Sequence, residues 1–250
     1  MHSPTLPDDL APFEVFPGRE LVAGRPLVAR LSGRRFDLLL DGAGYTKPFD
    51  PSFGKGMVKT LSYLLSVLGA SFGFAEQTEL SLFAMAGGGD ARRLLSRIAG
   101  EASGKLSLVL GMVATFETRL YQLEDLDLAV EYFRWRHAEA QTRAVDRYCQ
   151  FVLGQAGTEA SAADRILSGL GLDDKVELLR QNGLEFGSVP AWQRHGAAIA
   201  LHAAPPPGSS GAPGLEGSDP PDEAPARLVV DLNLPDEGDF GQYVRPLLGA

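Results

Sequence analysis

Glu76, Gln77, Thr78 and Glu79 stand in the middle of the stretch Gly73-Phe74-Ala75-Glu76-Gln77-Thr78-Glu79-Leu80-Ser81-Leu82-Phe83. Two carboxylates, an amide and a hydroxyl at the tip of a tight turn are donor types that hold a metal ion or a phosphate. Apolar residues at Phe72 and Phe74, then at Leu80 and Leu82, recur with period two, which reads as two half-buried strands joined by that turn. An ordinary solvated turn has the same composition. A second segment, Arg30-Leu31-Ser32-Gly33-Arg34-Arg35-Phe36, ends an earlier apolar strand and adds a hydroxyl, a glycine and cations.

The elements that must position these residues follow from pattern and caps. Leu27 to Leu31 reads as a first strand. Asp50 is an N-cap with Pro51 at the first helical position, and apolar residues from Phe53 to Leu68 keep helical spacing up to Gly69. The hairpin follows. Asp90 then caps a second helix towards Leu110, weakened by Gly100 and Gly104, and Phe116 to Leu123 is a fourth strand. The order β-α-β-β-α-β predicts an α+β fold with a ferredoxin-like core and added C-terminal helices. In that topology the first strand lies beside the third. Ser32-Gly33 and Glu76–Glu79 then converge on one edge of the sheet, which is the geometry of a two-carboxylate metal site.

Residues 1–26 form a proline-broken lead-in, and 27–202 the folded domain. Within it, an amphipathic helix is predicted over about 125–153, two short helices over 159–182, and a strand-like stretch before His202. The apolar stripe of the long helix is extensive enough to serve both a core and an interface between copies. Residues 203–226, rich in Pro, Gly and Ser, read as a disordered linker. Residues 227–250 form a C-terminal tail in which Leu228-Val229-Val230 adds a short strand.

Composition narrows the class. The 44% hydrophobic content supports a buried core, and no run reaches the roughly 18 apolar residues of a membrane span. The net charge is −9, but residues 203–250 hold eight acids and two arginines, leaving 24 acids against 21 basic residues elsewhere. This balance argues against tight RNA binding without excluding a local basic groove. The single cysteine, Cys149, has no internal partner and reads as a small core residue. With no basic-apolar leader at Met1 to Asp8, a reducing cytoplasm is the expected compartment.

Six blocks in order resemble the tRNA-His guanylyltransferase family and its bacterial 3′-to-5′ polymerase-like relatives. Arg30 to Phe36 is similar to Arg-Leu-Asp-Gly-Arg-x-Phe, and Lys47-Pro48-Phe49-Asp50 matches Lys-Pro-Phe-Asp. Glu76 to Ser81 stands where Gln-Ser-Asp-Glu-x-Ser is expected, and Phe116-Glu117-Thr118-Arg119 resembles Phe-Asp-x-Arg. Trp135-Arg136 opens the family's Trp-Arg-x-x-Asp-Ala-x-x-Asn, and Pro190 to Gly196 resembles Pro-x-Trp-x-Lys-Arg-Gly. The resemblance implies a polymerase-palm core that adds a nucleotide to the 5′ end of tRNA, in a homodimer or homotetramer. It implies GTP or ATP as substrates and Mg²⁺ held by two aspartates. By position, Ser32, Thr78 and Glu79 take the catalytic roles. Ser32, Gly33, Thr78 and Glu79 take the metal positions. Arg30, Gly33, Arg34, Arg35, Phe36, Lys47, Gln77, Arg92 and Arg93 take the nucleotide-binding ones.

The chain departs from that pattern where it matters most. Ser32 and Thr78 occupy both aspartate positions, and the helix motif reads Glu139 for aspartate and Arg143 for asparagine. Hydroxyls can ligate Mg²⁺ but carry no charge, so an ion borne by a nucleotide could dock while a second would lack anionic support. Glu76, Glu79, Asp37 and Asp41 are the acids placed to compensate. Asp41-Gly42-Ala43-Gly44-Tyr45 also offers a shifted register with Asp41 as ligand, although Arg30 to Phe36 follows the better strand. Two readings follow: a nucleotidyltransferase with a degenerate metal site, or a catalytically silent nucleotide- or RNA-binding subunit.

Overall fold

The structure, a computed structural model of the 250-residue chain, describes residues 10–202 and 227–249. The strands are β1 (Glu14–Val15), β2 (Glu20–Leu21), β3 (Pro26–Gly33), β4 (Phe72–Ala75), β5 (Glu79–Met85), β6 (Gly89–Asp90), β7 (Phe116–Gln122), β8 (Ala197–His202) and β9 (Arg227–Asp231). The helices are α1 (Phe36–Gly42), α2 (Pro51–Leu68), α3 (Ala91–Leu110), α4 (Leu126–Gln155), α5 (Ala160–Ser168), α6 (Leu172–Gln181), α7 (Ala191–His195) and α8 (Glu237–Leu248). No helix among the described residues is long and apolar enough to cross a membrane.

Local chemistry explains the two helices of the core. The Asp50 carboxylate accepts from the Ser52 and Phe53 amides at the start of α2, and Gly69, at φ 67°, closes its end. Asp90 caps α3 in the same way, and Gly111 at φ 70° ends it. Gly100 and Gly104 do not interrupt α3, because Ile98, Ala102 and Leu106 bury the opposite face.

Seven strands make one antiparallel sheet in the order β1-β7-β3-β5-β4-β8-β9. Its middle, β7-β3-β5-β4, is the ferredoxin-like arrangement, with the first core strand beside the third. The register sets Leu31 against Leu80 and Ser32 against Glu79. One face packs on α2 and α3 through Leu31, Phe53, Leu61, Leu80, Leu82 and Leu106. The other packs on α4 and α8 through Val28, Phe72, Phe74, Phe83, Phe133 and Phe240.

That second layer changes the meaning of the alternation. β4 and the first five residues of β5 are buried on both faces, rather than half-buried. The polar residues flanking Leu80 therefore point at α4, not at water. α4 itself is enclosed by α5, α6, α7 and α8, so its apolar stripe is spent inside the chain. Residues 227–249 are not a loose tail: β9 extends the sheet and α8 packs on α4. The lead-in likewise supplies β1, paired with β7. The linker read over 203–226 lies outside the described residues.

Candidate functional site

β3 and the β4–β5 hairpin deliver their polar residues to one end of the sheet. The hairpin closes with Glu76 N donating to Glu79 O at 2.9 Å, leaving Gln77 and Thr78 as the two-residue tip. Gly33 N donates to Thr78 O at 2.9 Å, which ties the end of β3 to that tip. Ser32, Gly33, Thr78 and Glu79 thus lie together. Directly opposed residues share a face, so Ser32 and Glu79 both face α4.

The carboxylates at this end are engaged. Glu79 Oε2 accepts from Arg30 Nε at 2.8 Å and lies 3.0 Å from Arg136 Nη2. Its Oε1 accepts from Arg143 Nη1 at 2.9 Å and from Arg30 Nη2 at 3.2 Å. Glu76 holds Arg136 Nη2 at 2.9 Å and Arg143 Nη1 at 3.2 Å. Glu139 holds Arg136 and, at 2.9 Å, Arg143 Nη2. Trp135 supports the cluster from the side, with the Arg30 and Arg136 guanidinium carbons 5.1 and 5.4 Å from its ring centre. Arg136, Glu139, Arg143 and Arg147 recur every three or four residues, which puts them on one face of α4.

Electrostatics follow from this packing. Burial pushes the Glu79 carboxyl up, but Arg136 and Arg30 outweigh it and take the pKa down to about 2. Burial likewise opposes charge on Arg136, yet Glu79, Glu76 and Glu139 raise its pKa further. Glu139 is raised, chiefly by burial. Three glutamates face three arginines, so the cluster is neutral without any ion.

Oxygens of Glu76, Glu79 and Glu139 lie within 4.8 Å of one another, a spacing one cation could span. The donor chemistry does not fit a metal centre. A carboxylate offers about four acceptor positions, and Glu79 spends four on guanidinium contacts. An ion would have to displace buried arginines, and Ser32 and Thr78 bring it no charge.

The other sequence candidates fall in three places. Arg34 and Arg35 form the turn into α1; Arg34 makes an exposed pair with Glu117 at 3.0 Å, and Arg35 sits at φ 54°. Phe36 is buried against Phe53 and Phe116, with ring centres 5.8 and 5.1 Å away. A Cβ on Gly33 would meet the Phe36 ring at 2.2 Å, so close packing alone requires this glycine.

Lys47 and Gln77 line a cleft of about 510 Å³ with Asp37, Asp41, Tyr45 and Arg147. Gln77 Nε2 donates to Pro48 O at 3.0 Å, docking the Lys47–Asp50 segment on the hairpin tip. Asp41 belongs to this cleft, ion-paired with Lys47 at 2.7 Å, and does not lie on the strand edge beside Ser32.

Arg92 and Arg93 are not brought to the site. They follow the far end of β5, where Met85 pairs with Pro26, six residues along each strand from the Ser32–Glu79 pair. There they line a separate hollow with Gly87, Gly88 and Gly89.

Sequence reasoning missed the site roles of Arg136, Glu139, Arg143 and Arg147. The recurring arginines and the glutamate on one face of α4 were the available signal.

No family model and no curated protein sequence matches the chain. Among solved structures it is similar to a bacterial tRNA(His) guanylyltransferase (Thg1)-like protein in complex with GTP, at 20% identity and TM-score 0.68, over 93% of each chain. The structure of such a protein in complex with ATP gives 20% identity and TM-score 0.71, over 92% of this chain and 93% of that one. The tRNA(His) guanylyltransferase of Saccharomyces cerevisiae gives 16% identity and TM-score 0.65, over 72% of this chain and 87% of that one. These likenesses establish the fold.

Proposed function

We propose that this chain, built on the fold of the tRNA(His) guanylyltransferases, binds a nucleoside triphosphate and an RNA 5′ end. In this reading it transfers nucleotides weakly or not at all. The carrying observation is the arginine–glutamate cluster: Glu79 is held by Arg30, Arg136 and Arg143, while Ser32 and Thr78 supply only hydroxyls. Two-metal transfer needs ions about 3.5–4 Å apart with carboxylates between them. A site whose carboxylates already balance three guanidiniums supplies no such anionic cradle.

Nucleotide binding is the part the remaining residues support. The cleft beside the hairpin tip carries Lys47 and Arg147, and Gln77 Oε1 is buried without a partner. Lys47 is exposed, so its pair with Asp41 is worth about 1 kcal/mol or less. Exchanging that carboxylate for a phosphate is therefore inexpensive. Solved structures of similar fold are complexes with GTP and ATP, and the family resembled in sequence acts on tRNA.

The test pairs two measurements on one preparation. GTP and ATP binding is measured by calorimetry, and addition of labelled GTP to 5′-triphosphorylated tRNA is followed with Mg²⁺. The expected result is saturable nucleotide binding, weakened by Lys47→Ala, with addition at or near background. Robust addition that Glu79→Ala abolishes would overturn the silent reading in favour of a working nucleotidyltransferase. No binding of either nucleotide would overturn both.

A further inference from the structure

The strand that ends the sheet, β9, pairs with β8 on one side, and no described strand pairs with its other side. Edge strands of soluble proteins are normally blunted by charge, proline or a covering element. This one is apolar at its centre. Four of the twelve exposed large apolar side chains among the described residues lie here: Leu201 at 38%, Val229 and Val230 at 42%, and Leu232 at 44%. Hollows flank the strand on both faces. One of about 290 Å³ is bounded by Val230, Leu232 and Trp192, and one of about 270 Å³ by Val229, Tyr243 and Leu247.

We infer that β9 is a pairing surface for a second copy of this chain, joined antiparallel about a two-fold axis at Val229. The backbone and the charge both match that register. Leu201 N donates to Ser71 O, so Leu201 turns its backbone groups to β4 and Ala200 turns its own to β9. Ala200 opposes Val229. Alternation then aims the N–H and C=O of Leu228 and Val230 away from β8. With the axis at Val229, Leu228 opposes Val230 of the second copy, so four outward N–H groups meet four outward C=O groups with none left over. The same register sets Arg227 against the second copy's Asp231 at both ends, an opposite-charge cross-strand pair. A patch complementary to itself in hydrogen bonds and charge is what a two-fold interface requires. The flanking hollows give the second copy's side chains somewhere to pack.

The experiment uses the full chain at tens of micromolar. Sedimentation velocity should show a dimer. Val229→Cys should cross-link under mild oxidation, because a non-hydrogen-bonded pair brings its Cα atoms to about 4.5 Å; buried Cys149 serves as the unreactive internal control. Val230→Pro removes an outward N–H from each copy while sparing the bonds to β8. It should raise the dimer dissociation constant about tenfold or more, with an unchanged circular dichroism spectrum. A monomeric wild type, including one whose own residues 203–226 cover the edge, would overturn the inference. So would a dimer in which Val229→Cys gives no cross-link and Val230→Pro has no effect. Should Val230→Pro fail to fold, the cross-link decides.

Discussion

Arg143 Nη1 lies 3.2 Å from Glu76 Oε1, joining the hairpin tip to α4 across 67 residues of sequence. Both positions depart from the motifs the chain resembles, which place asparagine and glutamine there. Measured against those motifs, a cation and an anion stand facing each other, and Ser32 and Thr78 stand where two acids are expected. Coupling should be large. Either Arg143→Asn or Glu76→Gln alone leaves a buried charge uncompensated and should cost about 3–5 kcal/mol, and the double variant should cost clearly less than the sum. Urea unfolding of all four proteins gives the coupling energy; simple additivity would dissolve the pair.

Arg136 is the centre of the cluster, fully buried and in contact with Glu76, Glu79 and Glu139. Arg136→Leu is expected to destabilise the fold by about 3–5 kcal/mol. Arg34→Ala, which breaks an exposed pair with Glu117, should change stability by less than about 1 kcal/mol. Denaturation midpoints at one pH compare them. Similar losses would show that burial does not set the worth of these pairs.

Gly33 separates packing from ligand binding. Gly33→Ala should destabilise the protein, because its Cβ would stand 2.2 Å from the Phe36 ring, and adding Phe36→Leu should return part of the loss. If Gly33→Ala leaves thermal stability unchanged, the glycine is required by something other than Phe36.

His137 gives a pH signature opposite in sign to that of Glu139, whose carboxyl is raised chiefly by burial. It is buried between His195, with ring centres 5.0 Å apart, and Phe240, at 4.1 Å, with Asp236 near His195. Burial first, and then His195, lowers its pKa from 6.5 to about 4. The unfolded chain therefore takes up this proton at higher pH than the folded one. The neutral ring's contribution is whole above about pH 6.5 and is lost as pH falls towards 4, up to about 3 kcal/mol. His137→Leu should flatten the stability profile across that window. An unchanged slope would assign it elsewhere, Glu79 being excluded because it titrates only near 2.

The core was legible because its signals are local. Asp50 and Asp90 cap helices through their own following amides, and β-α-β-β-α-β order is enough to place Ser32 beside Glu79. The long-range chemistry was not. Period-two alternation in β5 cannot say whether Glu79 and Ser81 meet water or a second layer, and α4 lies some 50 residues further on. α1 ends on Gly42 and α8 contains Gly238 and Gly241, residues that weaken a helical signal in sequence. The acids were identified as candidate ligands by type. Only the fold shows that arginines from β3 and α4 already occupy them.

The most direct measurement is the number of Mn²⁺ ions the protein holds, counted by electron paramagnetic resonance with and without GTP. A palm edge neutralised by Arg30, Arg136 and Arg143 predicts no ion on the protein alone and no more than one with GTP, carried by the triphosphate. Two tightly held ions in wild type, lost on Glu79→Gln, would contradict it.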